Sequence, residues 1–184
     1  STSYKINDKV NAVMLIFRFA DFDETKPDPF EPEEYKNDMK LVWSDEFNNT
    51  GAPDANYWNF ENGFLRNEEL QWYKGENAEC RGGALVITGK KERVVNPKYV
   101  PGSSNWKTNR EYAEYTSTSM TTYGKFDFQY GRLEVRAKIP TGKGAWPAIW
   151  TLGNWNDWPS CGEIDVLEYY LVGNEPHIFA NTAW

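Results

Sequence analysis

Short strand-like segments, separated by clusters of Gly, Pro and Asn, fill the sequence from residue 39 onward. No stretch of about twelve or more residues keeps helical apolar spacing together with capping residues, so the pattern predicts an all-β fold. The turn signals recur at the spacing of a β-sandwich, and antiparallel sheets packed face to face fit best. Strands are predicted at residues 84–88, 114–122, 131–140 and 146–152, the clearest being 131–140, where apolar and charged residues alternate without a miss.

Residues 1–38 differ from the rest of the chain. Residues 10–19 have the β-branched and aromatic content of one strand, which belongs either to the main domain or to a preceding module. Residues 21–38 carry eight acidic residues against two lysines, and three prolines interrupt them. Such a segment is typical of a linker or an arm on the surface. The sequence therefore predicts an N-terminal strand plus a linker or arm at 1–38 and one main domain at 39–184.

Charge and motif content exclude several functions. The 20 basic and 27 acidic residues give a net charge of −7, which disfavours nucleic acid as a partner. The longest apolar run, residues 12–17, is far shorter than the ~20 residues that a membrane span needs. His177 is the single histidine, no nucleophile elbow or metal motif is present, and we interpret His177 as a surface or cleft-edge residue. Cys80 and Cys161 leave open whether they are bonded.

Three carboxylates lie within six residues, at Glu163, Asp165 and Glu168. In a regular strand Glu168 would face away from the other two, because side chains alternate between the faces. A one-residue bulge after Asp165 would place all three on one face, and bulges are common beside active sites. Three adjacent acids repel one another and raise at least one pKa, which indicates function more than structure.

The spacing of these acids suits glycoside hydrolysis. With the bulge, Glu163 and Glu168 are four strand positions apart, about 13 Å between Cα atoms. Side chains that lean together could then bring the carboxyl groups to the ~5 to 5.5 Å of a retaining glycosidase. One glutamate must be ionised to attack the anomeric carbon and the other protonated to donate to the leaving oxygen, while Asp165 can hydrogen-bond the nucleophile.

Four tryptophans lie just before the acids, within residues 146–158. Indole planes stack against the C–H faces of pyranose rings, so tryptophan beside carboxylates is what a sugar cleft requires. Trp158 is predicted to contact sugar. For Trp146 and Trp150, core packing and sugar contact are equally supported.

These residues resemble glycoside hydrolase family 16, the laminarinase and licheninase group. The string Glu-Ile-Asp-Val-Leu-Glu at 163–168 is similar to that family's bulged catalytic motif. Residues 41–47, 67–73, 130–136 and 146–150 are similar to its other recurring segments. The resemblance implies a β-jelly roll sandwich of two curved antiparallel sheets with a concave substrate cleft. It also implies that the C-terminal strands are missing from this chain or supplied by a second chain.

The resemblance assigns roles residue by residue. Glu163 matches the nucleophile, Glu168 the general acid/base and Asp165 the assisting acid. Trp158 matches the ring that floors the subsite beside the cleaved bond. The matching segments add Asn67 and Arg132 to Trp146 and Trp150 as substrate-binding residues. No cofactor is implied for catalysis, but many members hold a structural Ca²⁺, to which Glu46 and a carbonyl at Gly82 could contribute.

The implied activity is endo-acting, retaining hydrolysis of β-1,3- or mixed-linkage β-1,3/1,4-glucan. Two alternatives stay open at this point: the same machinery acting on a red-algal galactan such as agarose or carrageenan, and a non-catalytic glucan-binding lectin, since fold does not fix function. A polymeric substrate cannot enter a cell, so we expect a secreted, periplasmic or cell-surface protein.

Overall fold

A computed structural model describes residues 40–184, so the predictions for residues 1–38 lie outside the described residues. The described residues form two compact units, 40–127 and 128–184. They contain eleven β-strands, one 3-10 turn and no α-helix, which confirms the all-β prediction. Within residues 40–184, no helix has the length and apolar character to cross a membrane.

The unit at 40–127 is built from four two-stranded ladders. Three ladders are antiparallel, β1–β8, β3–β4 and β5–β6, and β2–β7 is parallel. The strands are β1 (Asn59–Phe60), β2 (Gln71–Tyr73), β3 (Ala78–Arg81), β4 (Ala84–Ile87), β5 (Val94–Val95), β6 (Tyr112–Ala113), β7 (Tyr115–Ser117) and β8 (Met120–Thr121), with the 3-10 turn at Gly75–Asn77.

Two of the predicted strands fall in this unit. The strand predicted at 84–88 is confirmed as β4. The one predicted at 114–122 is divided into β7 and β8, because the two residues between them bond to different segments: the Thr118 hydroxyl donates to the carbonyl of Lys74, and the Ser119 carbonyl accepts from the amide of Glu61. The parallel β2–β7 pair also departs from the purely antiparallel expectation.

The core of this unit is aromatic. Phe64, Trp72 and Ala113 are buried together, with Val94 and Trp106 packed against them. The rings of Phe64 and Trp72 meet edge to face at a centroid distance of 5.3 Å, an arrangement that aromatic pairs prefer.

The unit at 128–184 contains one antiparallel sheet in the order β11–β10–β9. Its strands are β9 (Ala148–Leu152), β10 (Glu163–Val172) and β11 (Glu175–Ala183). Gly173 and Asn174 form the two-residue connection between β10 and β11, and both have positive φ, 59° and 72°, as tight hairpin turns require. The strand predicted at 146–152 is confirmed as β9.

Residues 131–140 contribute no strand to the described sheets, contrary to the prediction. Alternation of apolar and charged residues defines two faces, but a strand also needs a ladder of backbone hydrogen bonds, which alternation does not specify.

Candidate active site

A β-bulge interrupts β10 directly after Asp165. Asp165 pairs with Trp150 of β9, whereas the next pair joins Leu167 to Ile149, so Val166 is an extra residue without a counterpart on β9. The pairing with β11 shifts at the same place. This confirms the bulge that the sequence predicted.

The bulge turns all three carboxylates of β10 to one face of the sheet. The residues of β9 that pair with them are spaced two apart, and residues spaced two apart on a strand share a face. The pairs are Glu163 with Leu152, Asp165 with Trp150 and Glu168 with Ala148.

The same bulge buries the apolar residues of the strand. Val166 and Leu167 are adjacent, yet they are only 6% and 5% exposed. A regular strand would have sent one of them to the carboxylate face. Burial of both stabilises the bulged form, since each fully buried side chain of this size contributes roughly 1.5 to 3 kcal/mol.

Trp158 contacts the first carboxylate from the loop between β9 and β10. Its indole Nε1 donates to Glu163 Oε2 at 2.6 Å. The loop is closed at its base, where the amide of Gly153 donates to the carbonyl of Gly162 at 2.8 Å. A Cβ on Gly153 would lie 1.9 Å from the carbonyl oxygen of Cys161, so this close approach requires glycine.

Trp146 contacts the third carboxylate from the segment before β9. Its indole Nε1 donates to Glu168 Oε1 at 3.1 Å. The neighbouring carbonyl of Pro147 accepts from the amide of Tyr169 at 3.1 Å, which ties this segment to β10. Each glutamate therefore has its own indole N–H donor, and such bonds are strongest when the acceptor is ionised.

Asp165 lies between the two glutamates and is the most buried of the three acids, at 7% exposure. Burial, the charges of Glu168 and Glu163, and a side-chain hydrogen bond with Glu163 together raise the pKa of Asp165 to about 6. A carboxyl group with that pKa holds a proton in mildly acidic solution and can donate it in a hydrogen bond to Glu163.

The structure brings together the three acids and the three tryptophans predicted to bind substrate, Trp146, Trp150 and Trp158. Asn67 lies in the other unit, exposed and in a left-handed conformation with φ of 56°. Arg132 is half-buried and forms an ion pair with Glu134. The substrate-binding roles of Asn67 and Arg132 stay predictions.

The structural Ca²⁺ site suggested at Glu46 and the carbonyl of Gly82 stays a prediction. Ca²⁺ takes 6 to 8 oxygen ligands, and residues 40–184 contain no group of three His, Cys, Asp or Glu side chains that could hold a metal. Glu46 and Gly82 are exposed. The adjacent Asp45 uses both carboxylate oxygens to accept from the Phe47 amide and the Trp58 indole.

Sequence reasoning missed the contribution of β11 to this face. Because Glu168 pairs with Phe179, every second residue of β11 shares the carboxylate face, including Asn181 opposite Asp165 and His177 opposite Tyr170. Recognising Gly173–Asn174 as a two-residue hairpin turn would have predicted this register.

The chain is similar to several known proteins. Residues 70–182 match the family model of the XgeA-like catalytic domain of glycoside hydrolase family 16. A β-glucanase of Rhodothermus marinus is 39% identical over 153 residues, which cover 78% of this chain and 47% of that protein. A β-1,3-glucan-binding protein of Penaeus monodon is 57% identical over 110 residues, which cover 57% of this chain and 30% of that protein.

One of the similar solved structures was determined with a bound oligosaccharide. A variant of a non-specific endo-β-1,3(4)-glucanase, co-crystallised with 1,3-β-D-cellotriosyl-glucose, matches with a TM-score of 0.59 and 34% identity. The match covers 80% of this chain and 63% of that one. The chain spans about half the length of the β-glucanase and less than a third of the glucan-binding protein.

Proposed function

Because the chain belongs to glycoside hydrolase family 16, we propose that it hydrolyses β-1,3- or mixed-linkage β-1,3/1,4-glucan internally, with retention of anomeric configuration. Its fold is the family's β-jelly roll. One observation carries the proposal: the bulge in β10 turns Glu163, Asp165 and Glu168 to one face, with an indole donor on each glutamate.

In the first step Glu163 is the nucleophile. Its carboxylate forms a bond to the anomeric carbon while the glycosidic C–O bond breaks, and Glu168 gives its proton to the leaving oxygen. The bond from Trp158 occupies Oε2 of Glu163 and limits rotation of the carboxylate. This orientation favours attack, because positioning of reacting groups lowers the barrier.

In the second step Glu168 acts as a base. It removes a proton from a water molecule, whose oxygen bonds to the anomeric carbon as the bond to Glu163 breaks. Two inversions at one carbon give net retention. The bond from Trp146 occupies Oε1 of Glu168, and the second oxygen exchanges the proton with the leaving group and then with water.

Asp165 supports both steps without touching the anomeric carbon. Its proton, held by a pKa of about 6, is shared with Glu163 and limits the negative charge of the cluster. As Glu163 forms and loses its bond to sugar, the hydrogen bond adjusts to the changing charge of that carboxylate.

A second candidate function is binding of β-1,3-glucan without hydrolysis. The 57% identity with the β-1,3-glucan-binding protein favours it. The presence of all three acids and their donors supports hydrolysis as the leading candidate, since a lectin has no use for a costly cluster of like charges.

Product analysis after incubation with glucans separates the candidates. The chain and its Glu163→Gln variant are each incubated with laminarin, barley mixed-linkage glucan, cellulose and agarose. We expect oligosaccharides from laminarin or mixed-linkage glucan with the wild type alone, and NMR of the first products should show the β-anomer. Equal binding by both proteins without any product would favour the glucan-binding function, and products from agarose alone would contradict the glucan assignment.

We also infer that the protein acts outside the cytoplasm, as a secreted, periplasmic or cell-surface protein, because a polymeric glucan does not cross a membrane. Fractionation of the source cells, followed by detection with an antibody, tests this inference; confinement to the cytoplasm would contradict it.

A further inference from the structure

The loop before β1 contains the triplet Asn48-Asn49-Thr50. It is the single place in the sequence where Asn is followed by a residue other than Pro and then by Ser or Thr. That pattern is the acceptor motif for an N-linked glycan, and it is used on surface loops of secreted proteins. We call residues 48–50 the acceptor triplet.

The structure places the acceptor triplet on an exposed loop. Residues 40–50 form no helix or strand, and all three residues of the triplet are exposed. An enzyme that modifies an asparagine must reach both its side chain and the backbone around it. Exposed loops allow this access, whereas a buried or strand-paired segment does not.

Bonds on both sides hold the loop without using Asn48. Before the triplet, the amide of Phe47 donates to Asp45 Oδ1 at 2.8 Å. After it, the Gly51 amide donates to the carbonyl of Cys80 at 3.0 Å, and the Cys80 amide donates back to Gly51 at 2.6 Å. Cys80 is completely buried, so the loop is anchored to the body of its unit and the triplet has a defined place on the surface.

The two adjacent asparagines differ in their hydrogen bonds. The Nδ2 of Asn49 donates to the carbonyl of Ala52 at 2.7 Å. The side-chain amide of Asn48 has no hydrogen-bond partner within residues 40–184. Its nitrogen can therefore react without first breaking a bond to the rest of this unit.

The surroundings of Asn48 have room for a sugar. A Cβ built on Gly51 or on Gly82 would meet nothing within 4 Å, and one on Gly83 would lie 3.5 Å from Asn48 Oδ1. Asn48 and Tyr57 line the same open concavity. The ring of Tyr57 is 39% exposed and offers an apolar surface to the C–H face of a first sugar.

From these observations we propose that Asn48 carries an N-linked glycan. The proposal follows from the export inferred above and is independent of glucan hydrolysis. The donor is an oligosaccharide joined through N-acetylglucosamine to a polyisoprenyl diphosphate. The Nδ2 of Asn48 forms a bond to the anomeric carbon, the bond from that carbon to the diphosphate oxygen breaks, and the diphosphate leaves with the electron pair. The amide nitrogen gives up one proton to a base of the transferase.

The first test uses the protein isolated from its source cells. Trypsin releases the triplet in one peptide, residues 41–66, because no Lys or Arg lies between Lys40 and Arg66. Removal of the glycan by peptide N-glycosidase, in water enriched in the heavy oxygen isotope, converts a glycosylated Asn into labelled Asp. We expect fragment spectra to locate the label at Asn48 and at no other asparagine of the peptide. An unlabelled Asn48 would overturn the proposal.

Variants of the full chain, secreted by a eukaryotic host, test whether the glycan depends on the triplet. Asn48→Gln and Thr50→Ala should each abolish the loss of mass that the glycosidase causes, whereas Thr50→Ser should retain it. Asn49→Gln is the matched control, because it changes the adjacent asparagine and leaves the motif intact, so it should retain the glycan. A glycan on Thr50→Ala, or none on both the wild type and Asn49→Gln, would overturn the proposal.

Discussion

The indole Nε1 of Trp158 donates a 2.6 Å hydrogen bond to Oε2 of Glu163, so a loop residue orients the carboxylate that is proposed to attack sugar. Trp158→Phe removes the donor and keeps an aromatic ring. We expect kcat to fall by about 10- to 100-fold, because small displacements of a reacting group are costly. Initial rates on laminarin measure the effect.

Trp184→Phe is the control for that substitution, since Trp184 is 72% exposed and follows β11. It should retain the wild-type rate. If both variants were equally active, the hydrogen bond from Trp158 would have no part in catalysis.

Asp165 should make stability depend on pH in the mildly acidic range. Its pKa rises from 3.8 to about 6 on folding, so the folded state binds the proton more tightly than the unfolded state. The stabilisation of the folded state by the proton on Asp165 is complete below the pKa that Asp165 has in the unfolded chain, and it is lost as the pH rises through about 6. The side chain introduced by Asp165→Asn cannot ionise, so the melting temperature of this variant relative to wild type should increase as the pH rises over this range.

The same variant should lose turnover by at least about tenfold while remaining folded, because the proton shared with Glu163 no longer responds to charge. Melting temperatures and kcat measured from acidic to neutral pH test both effects. Asp157→Asn, an exposed substitution in the neighbouring loop, should show the same pH dependence of melting temperature and kcat as the wild type. If the melting temperatures of Asp165→Asn and the wild type changed with pH in parallel, the role of Asp165 would be contradicted.

Gly153 should tolerate no side chain. A Cβ there would lie 1.9 Å from the carbonyl oxygen of Cys161, so Gly153→Ala must displace the loop that carries Trp158. We expect a loss of about 1 to 3 kcal/mol in the free energy of unfolding together with a lower kcat. Gly142→Ala, whose Cβ would meet nothing within 4 Å, should match the wild type in both denaturant unfolding and rate.

Deletions in β10 test the role of the bulge. Without Val166 the strand becomes regular and Glu168 still faces the same way as Asp165, because side chains alternate. We expect lowered stability but hydrolysis above that of Glu163→Gln. Deletion of both Val166 and Leu167 sends Glu168 to the other face and should abolish hydrolysis, as judged by reducing ends released from laminarin. Equal activity of the two deletion variants would contradict the requirement that Glu168 lies on the same face as Asp165.

Some of this site follows from the sequence because its members are close along one strand. Glu163, Asp165 and Glu168 occupy a single strand, and the two-residue period fixes which of them share a face once the bulge is placed. Val166 and Leu167 lie between Asp165 and Glu168, and few arrangements other than a bulge bury both of them. The tryptophans were predicted to belong to the site because they are close to the acids in the sequence. In the structure, Trp146 and Trp158 each donate an indole N–H to one of the two glutamates.

Other features depend on which strands meet. The alternation at 131–140 predicted a strand and specified no partner for it, and the parallel β2–β7 ladder joins segments that are far apart in the chain. The stacking of Tyr170 on Phe179 needs β10 and β11 in register, which the Gly173–Asn174 turn sets.

The sequence by itself determined an all-β chain, a bulged strand and three carboxylates on one face, because alternation, turn residues and charge act between near neighbours. Only the tertiary structure decided that an indole donates to each glutamate, that the rings of Tyr170 and Phe179 stack across two strands, and that the pKa of Asp165 rises to about 6. The physical reason is that hydrogen bonding, ring stacking and burial depend on distances between segments that only pairing and packing of the strands bring together.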